Sequence, residues 1–132
     1  MIGKKMQDAL NEQINAELYS AYMYQSMAAY FEAANLKGFA HWMELQAKEE
    51  QGHAKKMYDF LVDRGGRVVL KAVAVPPAEW KSPLAVFEDT YAHEQKVTAL
   101  IHKLVDLGRA ENDHAAEVFL AWFVTEQVEE EA

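Results

Sequence analysis

Glu50 and His53 lie three residues apart in the stretch KEEQGHAKK, residues 48–56. Three residues is close to one helical turn, so a helix there places the carboxylate and the imidazole on one face. Stepping outward by threes and fours gives Phe39, Met43, Gln46, Glu50, His53, Met57 and Phe60, a stripe with apolar ends. Such a stripe is the face a helix turns toward a core. Glu17 interrupts a similar stripe formed by Leu10, Ile14, Ala21, Tyr24, Ala28 and Phe31. Glu94 interrupts Leu84, Phe87, Tyr91, Thr98, Ile101 and Val105, and Glu126 and Glu130 follow Ala116, Phe119 and Phe123. Burying one ionised carboxylate costs several kcal/mol, and four near one another cannot be offset by hydrogen bonds alone. A multivalent cation would neutralise them together.

The spacings point to one shared site. Adding 77 to positions 17, 50 and 53 gives 94, 127 and 130, and the same step carries Glu49 onto Glu126. The chain therefore reads as two helical hairpins with equivalent polar positions, which a pseudo-twofold axis would bring together at mid-bundle as two adjacent metal positions. Carboxylates with one histidine suit Fe(II), Mn(II) or Zn(II) and lack the soft ligands that favour Cu(I). Di-iron bundles take a Glu from each of two helices and Glu-x-x-His from the other two. Glu50-x-x-His53 completes one such motif, whereas the second hairpin carries Gln127-x-x-Glu130.

The elements that must hold these groups are four helices. Residues 4–34 contain no Gly or Pro and keep one periodic face. A break at Asn35–Gly38 precedes a second helix over about 39–64, stopped by Gly65 and Gly66. Residues 67–83, RVVLKAVAVPPAEWKSP, read as a long ordered connection with extended structure possible at Val68–Leu70. A third helix starts at Pro83 in its first turn and runs to about Leu107. After a break at Gly108–Asn112 the fourth begins near Asp113. Short, long and short connections predict two antiparallel hairpins joined by one crossover, with helices two and three parallel. The 132 residues suit one domain over 1–132 with one core, and 51% of them are hydrophobic. There is no cysteine, which excludes disulfides and thiolate sites. The start MIGKKMQDALNEQ has no apolar signal core, so the expected location is cytoplasmic. A net charge of -8 disfavours nucleic acid and membrane partners.

The stretches LNEQINAELYSAYMY (10–24), GFAHWMELQAKEEQGHA (38–54), Tyr-x-His-Glu (91–94) and FLAWFVTEQVEEE (119–131) resemble a non-haem bacterial or archaeal ferritin over nearly the whole chain. The resemblance implies that Glu17, Glu50 and His53 bind a first iron, and that Glu50 bridges to a second held by Glu94 and Glu130. Gln127 would lie beside the second iron, and Tyr24 would be the tyrosine next to the di-iron centre. Glu49, Glu126 and Glu129 match the third iron site of bacterial ferritins. Gln127-x-x-Glu130 favours ferritin proper over bacterioferritins and rubrerythrins, which usually complete both Glu-x-x-His motifs. The implied activity is oxidation of Fe(II) to Fe(III) by O2 or H2O2, a ferroxidase reaction, with ferric mineral stored inside a homo-oligomeric shell of twenty-four subunits. Zn(II) or Mn(II) would serve as surrogates. The family's fourth helix runs further and is followed by a short fifth; here the fourth is expected to be truncated, at about twenty residues or 30 Å against some 45 Å for the first.

Two rivals remain on these residues. One is a di-metal oxidase or peroxidase of the rubrerythrin type without storage, disfavoured because no Cys-x-x-Cys module exists to feed it electrons. The other is a metal-free helical assembly module, which would pair the seam carboxylates with Lys or Arg; none falls on these seams near mid-bundle. His41, His93, His102 and His114 fall off the shared positions and read as surface histidines. Met43, Met57 and Trp122 read as packing residues with no haem role.

Overall fold

The computed structural model describes residues 1–132 as four helices and no strands. Helix α1 spans Lys4–Ala33, α2 Lys37–Asp63, α3 Pro83–Ala110 and α4 His114–Glu130. Their lengths of 30, 27, 28 and 17 residues make α4 the short member, at about 25 Å against about 45 Å for α1. The turns are set by backbone chemistry that short polar residues tolerate. Asn35 (φ 58°) and Asn112 (φ 51°) take the left-handed conformation between paired helices, and Gly65 (φ 76°) does so after α2. Ser82 caps α3 by accepting from the Ala85 amide at 3.2 Å, with Pro83 in the first turn.

Asp113 both caps α4, accepting from the Ala116 amide at 3.0 Å, and receives a two-pronged Arg64 at 3.0 and 3.3 Å. One side chain thereby ties the end of α2 to the start of α4. The third helix does not stop where Gly108 suggests. It continues to Ala110, and Gly108 is buried where α3 meets α1 and α4. A Cβ there would meet Glu117, Met6 and Ala116 at 3.4–3.8 Å, ordinary van der Waals contact, so the glycine sits inside the helix without being required, and Asn112 makes the turn.

No strand forms at Val68–Leu70. The crossover is instead held by polar side chains of α1. Asn11 donates to the Arg67 carbonyl at 3.0 Å and accepts from the Val69 amide at 2.9 Å, and Gln7 accepts from the Arg67 amide at 3.1 Å. Further along, Asn15 donates to the Ala72 carbonyl at 3.1 Å and Ser26 to the Pro77 carbonyl. Residue numbers rise together on both partners, so the crossover runs parallel to α1. It returns the chain to the end where α2 began, and α3 leaves parallel to α2, as the loop lengths predict.

α1 packs on α2, α3 on α4, and α1 on α3. The apolar interior has two parts. One joins Met6, Leu10, Ile14, Met57, Leu61, Val97, Ile101, Leu104, Ala116, Leu120 and Phe123. The other joins Met23, Tyr24, Met27, Ala28, Phe31, Ala40, Met43, Ala47 and Val86. The seam of α1 is buried as predicted. That of α3 is displaced by one residue in its first half, where Val86 and Thr90 are buried and Leu84 and Tyr91 exposed. In α4 Leu120 and Gln127 take the buried positions assigned to Phe119 and Glu126. No helix is long and apolar enough to cross a membrane.

Candidate metal centre

Between the two apolar clusters lies a polar layer. Glu17 follows Ile14 on α1, Glu50 and His53 lie between Ala47 and Met57 on α2, Glu94 lies between Val86 and Val97 on α3, and Gln127 follows Phe123 on α4. All five are buried, with Glu17 and Glu94 1% exposed and Glu50 fully enclosed. One donor atom each from Glu17, Glu50 and His53 lies within 4.8 Å of the other two, and the same holds for Glu50, Glu94 and Glu130. Glu50 belongs to both groups. A third group, His53, Glu126 and Glu130, shares members with each.

His53 meets carboxylates at both ring nitrogens. Its Nδ1 is 3.2 Å from Glu50 and 3.7 Å from Glu17, and its Nε2 is 3.9 Å from Glu126. Phe123 and Trp122 stand edge-on to the ring at 5.8 and 5.5 Å. Trp122 is packed on this side and exposed on the other, where Lys56 Nζ lies 3.2 Å above the indole. Tyr24 donates its hydroxyl hydrogen to Glu94, whose other oxygen accepts from Gln127 at 3.2 Å. Gln13 donates to Glu17 at 3.1 Å.

The charges are frustrated. Burial, reinforced by Glu17 and Glu94, pushes the Glu50 carboxyl up to about 10. Burial also opposes charge on His53, but Glu17 and Glu50 outweigh it and raise the imidazole to about 10. For Glu17 burial acts upward too, yet the neighbouring Glu50 carboxyl, the His53 charge and the Gln13 amide win and hold it below the usual carboxylate range. Glu130 rises to about 8 through burial and its neighbours Glu49 and Glu94. Glu94 is raised by burial against its bonds from Tyr24 and Gln127, and Tyr24 is raised by burial and the Glu94 charge. Even so, Glu17 Oε2 and Glu50 Oε1 are buried without a partner. Two oxygens left in that state, beside an imidazole nitrogen, are the donor set a divalent cation satisfies.

The family comparison decides the relationship: the sequence profile of the ferritin-like domain matches residues 7–132. The chain belongs to the ferritin family. It is 49% identical, over its whole length and 83% of the relative, to a bacterial non-haem ferritin of Bacteroides fragilis. A bacterial non-haem ferritin of Staphylococcus saprophyticus is 46% identical over the whole chain and 79% of its own length. An open pore ferritin of the archaeon Archaeoglobus fulgidus superposes with a TM-score of 0.98 at 58% identity, covering 99% of this chain and 81% of that one.

In this ferritin all four helices deliver the residues read from the seams, but not equally. Glu17, Glu50, His53, Glu94, Gln127 and Tyr24 converge in the buried layer, with Glu130 half-buried at its edge. Glu126 is half-buried, while Glu49 and Glu129 are exposed on the rim of a cleft of about 450 Å3 that Tyr24, Glu94 and Glu130 also line. Glu126 reaches His53 and Glu130 in the close donor groups, and neither Glu49 nor Glu129 joins one. His93 is half-buried rather than a surface histidine, and burial together with Lys96 lowers its pKa. Gln13 was absent from the seam reading, although its position four residues before Glu17 on one helix face could have revealed it.

Proposed function

We propose that this chain oxidises Fe(II) as a ferroxidase and stores the ferric product. The observation that carries the reading is Glu50: it is shared by two donor groups and has one buried oxygen without a partner. Two Fe(II) ions are the substrate. Glu17, Glu50 and His53 hold one, with Nδ1 as the histidine donor. Glu50, Glu94 and Glu130 hold the other. Glu126, with the rim residues Glu49 and Glu129, forms a weaker third position along the cleft. Hard anionic oxygens stabilise the higher charge of Fe(III), which lowers the cost of oxidation. Each of two ferrous ions loses one electron, and O2 takes both electrons and two protons to leave as H2O2.

The side chains supply positioning and proton management. Burial and neighbouring carboxylates make Glu50 and Glu130 hold their protons to higher pH than an ordinary carboxyl, and those protons are released as cations arrive. Tyr24 holds Glu94 from one side and Gln127 from the other, so the carboxylate is aimed before the ion binds. The assembly module without metal fits less well. Its seam carboxylates would need Lys or Arg, and the ion pairs of Glu17 and Glu50 involve His53 alone. The rubrerythrin-type rival would consume peroxide without retaining iron. We extend to this chain the assembly into a homo-oligomeric shell that the family resemblance implies.

Anaerobic Fe(II) titration followed by O2 tests the reading. The expected result is two tight ions per chain, oxidation on mixing, and ferric iron that stays with a particle of many subunits by light scattering. Saturation at one tight ion removes the two-metal reading. Oxidation with all iron released to solution removes storage and leaves the oxidase.

A further inference from the structure

We propose that His93, bonded to Ser20, is a positioning residue that fixes the rotation of α3 and thereby aims Glu94 at the second metal position. The inference rests on the proposed two-metal reading. Ser20 is buried on α1 and donates its single hydroxyl hydrogen to the Ala16 carbonyl at 2.9 Å. A hydrogen bond of 2.7 Å joins Ser20 Oγ to His93 Nε2, with the histidine donating where the hydroxyl keeps its bond to Ala16 and accepting where the hydroxyl turns to the ring. The His93 ring is lodged between two aromatic rings of α1, with Tyr19 at 6.0 Å and Tyr24 edge-on at 6.3 Å.

His93 and Glu94 are successive residues, so their side chains leave α3 about 100° apart. They take hold of α1 at Ser20 and Tyr24, one turn apart. Beside the core packing of α3, two diverging polar contacts with α1 oppose rotation about the helix axis more than one does. The Tyr24 and Gln127 bonds fall on the two Glu94 oxygens that would also ligate, each through its second lone pair, so those bonds and the ion share one carboxylate. The Ser20–His93 bond uses no oxygen of the site, so it persists when the ion is present. Thr90, one turn earlier on α3, offers α1 only the sulfur of Met27 at 3.4 Å, a soft contact that adapts.

The test is calorimetric titration of the metal-free full chain with Zn(II), a redox-inert probe that reads affinity without turnover. The parent should bind two ions. Ser20→Ala and His93→Ala should each weaken the second ion by about tenfold or more, the usual scale for a group that orients a ligand, and leave the first unchanged. Removing both together should cost no more than either alone, since they act through one bond. His93→Gln, whose amide N–H can reach Ser20, should restore much of the second affinity. Parental affinities in Ser20→Ala, or equal weakening of both ions, would overturn the inference while sparing the two-metal reading. A parent that binds a single ion would overturn both.

Discussion

Glu50 is a carboxylic acid at neutral pH in the metal-free protein, because burial and the Glu17 and Glu94 charges hold its proton up to about 10. Glutamine is nearly isosteric with that neutral form. Glu50→Gln should therefore leave the melting temperature of the metal-free protein within a few degrees of the parent at pH 7, and abolish the rise that Zn(II) produces. A large loss of stability without metal would mean that Glu50 is ionised there. Glu50→Ala and His53→Ala should also differ from each other. Glu50 is shared by both donor groups that define the two positions, so its loss should abolish rapid Fe(II) oxidation. His53 lies outside the Glu50, Glu94 and Glu130 group, so binding at that position should survive. Stopped-flow oxidation beside anaerobic titration separates the two, and equal, mild effects would contradict the shared role. These residues were legible because each is a charge on an apolar stripe, and Gln127 was found by the 77-residue repeat. His93 was not, because it stands one position beside Glu94 and its partner Ser20 lies off the α1 seam. Glu49 and Glu129 were read toward the site by motif, but the layer is already filled by Glu50 and Gln127, which leaves them on the rim.

At the scale of elements, Asp113 and Asn11 do more than their local positions suggest. Asp113 caps α4 and binds Arg64. Asp113→Asn keeps a capping oxygen and loses the ion pair, whereas Asp113→Ala loses both. The alanine variant should cost about 1 kcal/mol more than the asparagine variant in denaturant unfolding, the worth of a helix cap. Asn11→Ala removes both a donor and an acceptor that hold the crossover. It should destabilise by about 1–3 kcal/mol, the cost of stranding part-buried backbone groups, with little effect on metal affinity. The helices and their wiring were legible from periodicity and loop length. The stop at Gly108 was not, because one glycine costs a helix only about 1 kcal/mol and takes a helical conformation here, while the left-handed turn falls at Asn112. Val68–Leu70 looked like a strand because β-branched residues favour extended backbone. No strand forms there, and the hydrogen-bond partners of the segment are amide side chains of a helix.

For the molecule as a whole, several groups bind protons more tightly when folded, Glu94 among them, and three define the window. Glu50 moves from 4.5 to about 10, Glu130 from 4.5 to about 8 and His53 from 6.5 to about 10. The stability each contributes is complete below its unfolded value and is lost as pH rises through the folded one. Glu17 is lowered, so its contribution is lost in acid, below that window. The melting temperature of the metal-free protein should therefore fall from about pH 6 to pH 10. Saturating Zn(II) should flatten the curve, and its addition to an unbuffered solution should release acid. A metal-free curve that rises across this range would contradict the charge assignment. The division of the apolar interior into two clusters with the carboxylate layer between them has a consequence for cooperativity. Hydrophobic contacts link each cluster internally, while helix backbone and a polar layer with two unpartnered buried oxygens link one to the other. Without metal the two ends should open as separate units, and backbone amides of α2 near Glu50 should exchange with solvent by local rather than global events. Cations in the two proposed positions would together span all four helices at that level. Amide exchange there should then slow toward the global rate, so that cargo makes the bundle unfold as one.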